Sequence, residues 1–152
     1  MLLLTDRTRR ALDVARDHAA AMGQDYVGTG HVFLGVLGET DGIAALALGN
    51  LGFQAEEVAM RLKRLDGVDE DRAEGAASSS RPAKMAIECS LQEARVLGCS
   101  HADTNHVVLG LLRAAQTYPG VKCAFGSDVG FEDRLRIRNE ILRLSPRPPK
   151  RA

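Results

Sequence analysis

Four histidines (His18, His31, His101, His106) and three cysteines (Cys89, Cys99, Cys123) carry this chain's capacity for metal binding, proton transfer or thiol chemistry. Their spacing supports little of it. The cysteines lie 10 and 24 residues apart, which makes no C-x-x-C site and, at an odd count, no closed disulfide framework. Reduced thiols and a cytoplasmic setting are the expectation. Cys89 and Cys123 fall in apolar stretches and read as small buried hydrophobes. Cys99 follows Gly98 in a loop, and His101 and His106 are too weakly placed to read as its base. His31 and His106 stand two residues after Thr29 and Thr104, with no second ligand at a helical i, i+4 spacing. Each reads as an imidazole hydrogen-bonded within its own module. Gly126-Ser127-x-x-Gly130 misplaces the serine for a nucleophile elbow, and no G-x-x-x-x-G-K-[ST] phosphate loop occurs. The expectation is a protein that is not an enzyme, uses no metal or cofactor, and acts by binding.

Charge narrows what it binds. Twenty Lys plus Arg balance twenty Asp plus Glu, so no global field draws the chain to DNA or to an acidic membrane. With 4 % aromatic residues and no Trp it has little to stack on single-stranded nucleic acid. Charge is uneven locally. Residues 66 to 74 hold five acids against Arg72, whereas Arg134, Arg136, Arg138, Arg143, Arg147, Lys150 and Arg151 face only Glu140. That arginine-rich end supports an alternative reading as a nucleic-acid-associated regulator. Met1 to Leu4 is apolar but too short for a signal peptide, and no apolar run is long enough to span a membrane.

These residues are positioned by a duplication. Residues 18–37 and 93–112, aligned at an offset of 75, share eight identities in twenty positions, among them Gly23/Gly98, Thr29/Thr104, His31/His106 and Gly35/Gly110. Downstream, Gly42-Ile43 and Gly52-Phe53 recur as Gly120-Val121 and Gly130-Phe131 at an offset of 78, which places about three extra residues near Thr117 to Pro119, read as a loop. The chain divides into a first repeat (1–65), an acidic, serine-rich linker (66–80), a second repeat (81–144) and a basic, proline-rich tail (145–152). Each repeat reads as four helices. Thr5 and Asp6 offer an N-cap for the first, and Leu12, Ala15, Ala19 and Met22 form one stripe that ends at Gly23. Ile87, Ser90, Ala94 and Leu97 repeat that stripe before Gly98. Thr29 and Thr104 are expected as N-caps of the second helices, and the last helix shows two stripes, Leu135/Leu142 and Ile137/Ile141/Leu144, suggesting a broad buried face. The fold class is all-α: two tandem four-helix repeats in a pseudo-twofold, eight-helix domain, expected as a monomer.

The strings Thr5-Asp6-Arg7-x-Arg9-Arg10, Tyr26-Val27-Gly28-Thr29-Gly30-His31-Val32-Phe33-Leu34-Gly35, Leu51-Gly52 and Thr104-Asn105-His106-Val107-Val108-Leu109-Gly110 resemble the N-terminal repeat domain of the Clp family of AAA+ unfoldases, most closely the ClpC type. The resemblance covers residues 4 to 144. It implies an eight-helix module that docks adaptors and presents substrates to the unfoldase ring; here, with no ATPase module in the sequence, a free-standing one is expected. Its implied partners are Clp unfoldase or protease subunits, adaptors or peptide ligands. ClpC-type members commonly read Gly-Thr-Glu-His in each repeat, where the glutamate helps hold the guanidinium of phosphoarginine. Gly30 and Asn105 occupy those positions here. Glycine cannot pair with a guanidinium, and asparagine can only imitate the carboxylate without its charge. The family aromatic ahead of the second repeat is replaced by Ser78-Ser79-Ser80, and the N-terminal one by Leu2 or Leu4. The resemblance and the local charge together nominate Thr5, Arg9 and Lys84 at an inter-repeat groove, with Thr29, Gly30, Thr104 and Asn105 marking the altered pair of sites.

Overall fold

The computed structural model describes residues 3–64, 79–118 and 131–146. Within them lie seven helices: α1 (Asp6–Ala21), α2 (Thr29–Gly38), α3 (Ile43–Asn50), α4 (Ala55–Arg64), α5 (Arg81–Val96), α6 (Thr104–Thr117) and α7 (Phe131–Leu144). No strand occurs among the described residues, and the fold is all-α. The third helix expected in the second repeat, Cys123, the Gly126 motif, most of the linker and the end of the tail fall outside the described residues.

The duplication is visible in how the long helices start and stop. Thr5 accepts from the Thr8 amide at 3.2 Å to open α1, and Ser80, 75 positions on, accepts from the Ala83 amide at 3.2 Å to open α5. Both helices give way to a left-handed glycine, Gly23 at φ 71° and Gly98 at φ 76°. The inward faces carry small residues: Thr8, Ala11, Ala15 and Ala19 on α1, and Ala83, Ala86, Ser90 and Ala94 on α5. Against them pack α2 and α6, whose apolar residues are buried on nearly every side, as befits core helices. Phe33, Leu48, Leu109, Leu111 and Ile141 are among the largest fully buried side chains, in one core shared by both repeats.

Two expectations need correction, and a third holds except at one residue. Gly28 and Asp103, not Thr29 and Thr104, hold the extended N-cap backbone, at φ/ψ of −96°/175° and −97°/177°; each threonine is the first residue inside its helix. The N-cap position is set by backbone geometry, and a glycine with no side chain gives no sequence signal against a neighbouring threonine. The extra residues of the second repeat are not simply a loop: α6 runs for 14 residues where α2 runs for 10, so the added length is helix as far as Thr117. On α7 Ile137 and Ile141 are fully buried and Leu142 and Leu144 pack partly buried against the core, while Leu135 is 40 % exposed. Both stripes thus reach the core where α7 packs on α3 and α6, and Leu135 is the member that stays at the surface.

Cross-ties fasten α7. Asn50 at the end of α3 donates to Glu140 at 3.2 Å, Asn105 on α6 donates to the Ser145 hydroxyl at 2.9 Å, and Arg138 reaches the nearly buried Glu93 on α5 at 3.5 Å. Helix 3 of one repeat therefore carries the last helix of the other.

The close approach of α1 to α2 and of α5 to α6 makes a testable demand. A Cβ at Gly35 would lie 2.0 Å from the Ala11 carbonyl oxygen, and one at Gly110 would lie 2.1 Å from the Ala86 carbonyl oxygen. Alanine normally gains up to about 1 kcal/mol over glycine inside a helix, and Gly49 on α3, with nothing within 4 Å of its Cβ position, offers that gain. Gly49→Ala should raise the denaturation midpoint slightly, whereas Gly110→Ala should lower stability by about 1–3 kcal/mol through overpacking. Urea unfolding of the two variants checks the contrast.

Candidate binding cleft

Two short backbone contacts join the repeats and define a seam. Leu4 pairs in parallel with Ala102, and Val27 pairs in parallel with Ser79. Leu4 and Ser79 are equivalent at the 75-residue offset, as are Val27 and Ala102, so each repeat lends its entering segment to the loop ahead of the other's second helix. The Thr5 amide donates to Ala102 O at 3.1 Å, and the Ser80 amide donates to Val27 O at 2.8 Å. Thr8 adds a buried hydrogen bond to the same Ala102 carbonyl at 3.0 Å.

The loops at the seam are held by the histidines. Nδ1 of His31 accepts the Gly28 amide at 2.9 Å, and Nδ1 of His106 accepts the Asp103 amide at 2.9 Å. The imidazole thus takes the place that a glutamate or glutamine side chain fills in a capping box, reaching back from the third helical position to the cap. An accepting Nδ1 requires the neutral ring with its proton on Nε2. Asp103 uses its carboxylate in three directions: to the Thr104 amide at 2.8 Å, to the Thr5 hydroxyl at 3.2 Å and to the Arg7 guanidinium at 3.1 Å. One side chain therefore starts α6 and ties it to α1 across the repeat boundary.

Burial holds the His106 pKa below its ordinary value of 6.5, against the opposing pull of the Asp103 and Glu93 carboxylates. The Cys89 thiol, also buried, is pushed up, which makes it a poor nucleophile. Among the described residues no group of three or more His, Cys, Asp and Glu is placed to hold a metal ion.

Beside the Val27–Ser79 contact opens a cleft of about 280 Å³ between α1 and α5. Leu12, Val27, Val32 and Ile87 give it apolar walls, and Arg16, Lys84 and Glu88 charge its rim. Leu12 and Ile87 are equivalent at the 75-residue offset, so the cleft lies across the pseudo-twofold relation.

The residues nominated from sequence separate into two groups. Lys84 is exposed and lines the cleft. Its equivalent Arg9 is exposed one helix away, and Thr5 sits at the seam as the α1 cap, bonded to Asp103. Thr29, Gly30, Thr104 and Asn105 are buried at the starts of α2 and α6. Asn105, only 2 % exposed, spends its amide on Ser145 at the end of α7. Leu12 and Ile87 were assigned to helix stripes by their spacing; that both stand at the open edge of their stripes became visible only once α1 and α5 were set side by side. Arg16, which carries the rim charge, also pairs with Asp13 at 2.8 Å, and nothing in its spacing marked it.

Comparison with known proteins decides the family. The Clp repeat (R) N-terminal domain matches over residues 3–119. The chain belongs to this Clp repeat family. It is 34 % identical over 140 residues to the negative regulator of genetic competence ClpC/MecB of Bacillus subtilis, a match that covers 92 % of this chain and 17 % of that protein. It is 32 % identical over 140 residues to the chaperone protein ClpB of Oceanobacillus iheyensis, again over 92 % of this chain and 17 % of the relative. The Clp repeat chain thus spans about a sixth of the length of these curated relatives. Among solved structures, the N-terminal domain of ClpD from Arabidopsis thaliana superposes with a TM-score of 0.68 at 19 % identity, covering 92 % of both chains. The Hsp104 N-terminal domain of Candida albicans gives 0.67 at 13 % identity, covering 93 % of this chain and 90 % of that one. The two structural matches establish the fold.

The nucleic-acid alternative gains no support from this kinship, and on α7 three arginines are already occupied. Arg136 lies 3.9 Å from Asp133, Arg138 lies 3.5 Å from Glu93, and Arg143 is bonded to Glu140. No described helix is long and apolar enough to cross a membrane by itself.

The His106 cap gives the Clp repeat a predictable acid response. Because His106 binds its proton less readily folded than unfolded, the unfolded chain takes up more protons between the lowered folded value and about 6.5. Its contribution to stability is therefore complete above the unfolded pKa and is lost as the pH falls through that window. Urea titrations between pH 7.5 and 5 should show stability declining with acid, and His106→Gln should have a shallower decline than the parent.

Proposed function

We propose that the chain is a non-catalytic protein- or peptide-binding module of the Clp chaperone–protease system, working in the cytoplasm as a monomer. Its role is that of an adaptor, a competitor or a sequestering protein for the ligands of unfoldase N-domains. The single observation that carries this reading is the cleft at the repeat seam: apolar walls with a charged rim are what a peptide or a docking loop of a partner needs, burial for affinity and polar groups for orientation. Family membership supports the Clp system as the source of the partner. Lys84 contacts the ligand directly and Arg9 and Thr5 flank the approach. The buried Thr29, Gly30, Thr104 and Asn105 act by shaping the helix starts beneath, and with Gly30 and Asn105 in place of glutamates a guanidinium ligand is not the preferred one.

Affinity capture from lysate of the protein's own organism, with an Arg9→Ala/Lys84→Ala double variant as the control, tests the proposal. Both side chains are exposed and carry no ion pair among the described residues, so the variant should fold normally. Recovery of Clp ATPase, protease or adaptor subunits by the parent, falling at least several-fold in the variant, is the expected outcome. Recovery of no Clp component would overturn it.

A further inference from the structure

Asp103 is held at both ends of the residue. Its amide donates to Nδ1 of His106 at 2.9 Å, and its carboxylate accepts from the Thr104 amide at 2.8 Å. The same carboxylate crosses to α1, where it takes the Thr5 hydroxyl at 3.2 Å and the Arg7 guanidinium at 3.1 Å. Two backbone bonds close this side of the seam: the Thr5 amide to Ala102 O at 3.1 Å and the Ala102 amide to Leu3 O at 2.8 Å. The bond to His106 carries a condition. Nδ1 accepts only in the neutral ring, whereas an imidazolium donates from both nitrogens and would set one N–H against another at Asp103.

His106 is 3 % exposed, so a charge on it needs a partner close by. Asp103 faces it from its own loop and Glu93 from α5. Glu93 is already held by Arg138 of α7 at 3.5 Å, with Arg113 of α6 at 4.0 Å. From α1, Arg7 draws on Asp103, and His101, in the same loop, is exposed and bonded to the Ser100 hydroxyl at 2.9 Å. Asp103, with its side chain 26 % exposed, is the carboxylate that has room to turn.

We propose that protonation of His106 works a latch between the repeats: the neutral ring leaves the Asp103 carboxylate on Thr5 and Arg7, and the charged ring draws it into its own loop, releasing residues 3–7 from Ala102. Release admits water to the ring and relieves the burial that opposes its charge, so the open form binds the proton more tightly and falling pH shifts the balance toward it. The latch opens within a folded domain, which separates it from the general loss of stability in acid. It belongs to the second repeat's side of the seam. His31 accepts the Gly28 amide at 2.9 Å in the same way, but Gly28 carries no carboxylate that could change partner. Nothing in the latch depends on what the cleft binds.

Amide hydrogen exchange on the full chain, expressed as protection factors so that the intrinsic pH dependence of exchange is divided out, tests the latch. Between pH 7.5 and 5.5 the Thr5 and Ala102 amides should lose about tenfold in protection, while the buried Leu109 and Leu111 of α6 and the Ser80 amide across the seam stay within about twofold. His106→Gln supplies an acceptor for the Asp103 amide, as glutamine does in a capping box, and does not titrate; it should keep Thr5 and Ala102 protected at both pH values. Asp103→Asn keeps a good N-cap and removes the charge, and should expose the two amides equally at both. His31→Gln and His101→Gln should behave as the parent does. Unchanged protection of Thr5 and Ala102 over this range overturns the proposal. So does a loss shared equally by Leu109 and Leu111, which is global unfolding, a loss that persists in folded His106→Gln, or one abolished by His31→Gln or His101→Gln. Parent-like pH dependence in Asp103→Asn also overturns it, and decides the matter should His106→Gln fail to fold.

Discussion

The contact on which the rest of the domain depends is backbone against backbone. At Gly35 and Gly110 the core helices come so near α1 and α5 that a carbonyl oxygen lies about where a side chain would begin. Small residues on the opposing faces, Ala11 and Ala15 in one repeat and Ala86 and Ser90 in the other, allow the approach. Once each long helix is pressed onto its partner in this way, the segment that enters it meets the loop ahead of the other repeat's core helix. The seam between the repeats is made there, and the cleft is what the seam does not fill. A glycine in the middle of a helix weakens it as an isolated element, so here local helix propensity gives way to tertiary packing.

Polar groups at the two loops are arranged to satisfy backbone donors that the helix starts leave exposed. His31 and His106 are the clearest case. Metal-binding and catalytic roles are the usual reasons to single out a histidine, yet each ring here is turned back on its own chain to accept an amide proton. Asp103 extends this from one helix to two by reaching Thr5 and Arg7. The first repeat has Gly28 at the equivalent place, so the two loops are alike in backbone and unlike at the cap position. The same break of symmetry, small against large, recurs at Ser79 and Leu4. In both instances the duplication fixes the backbone while single side chains decide what each copy can hold.

Much of the fold was legible because duplication shows each signal twice. The helix stripes, the glycines that end α1 and α5, and a cap at Thr5 or Asp6 all follow from residue type and spacing, and Gly23 and Gly98 confirm one another at equivalent positions. What was not legible depended on residues that act through geometry alone. Gly28 as a cap has no side chain to announce it, so Thr29 next door attracted the role. The length of α6 turned on whether a short polar stretch, Arg113 to Thr117, continued a helix or left it. The exposed side of Leu135 depended on how α7 lies on α3, a contact between elements about ninety residues apart in sequence that no local pattern encodes. Of the residues that line the candidate cleft, Lys84 was nominated from the sequence. Arg16 was not, since its part in the cleft depends on how α1 stands beside α5.

The reciprocal seam carries an implication for how such a domain can arise and fail. Leu4 with Ala102 and Val27 with Ser79 are the same contact made twice, by halves of one chain that stand in the relation of two subunits about a twofold axis. A single repeat would present both the donor segment and the receiving loop, and so could satisfy itself only with a second copy. The covalent link joins those two halves in one chain and raises the effective concentration of one half for the other. It also leaves open the exchange of halves between neighbouring chains, so that a link too short or too stiff to let the chain fold back would favour swapped dimers over the closed form.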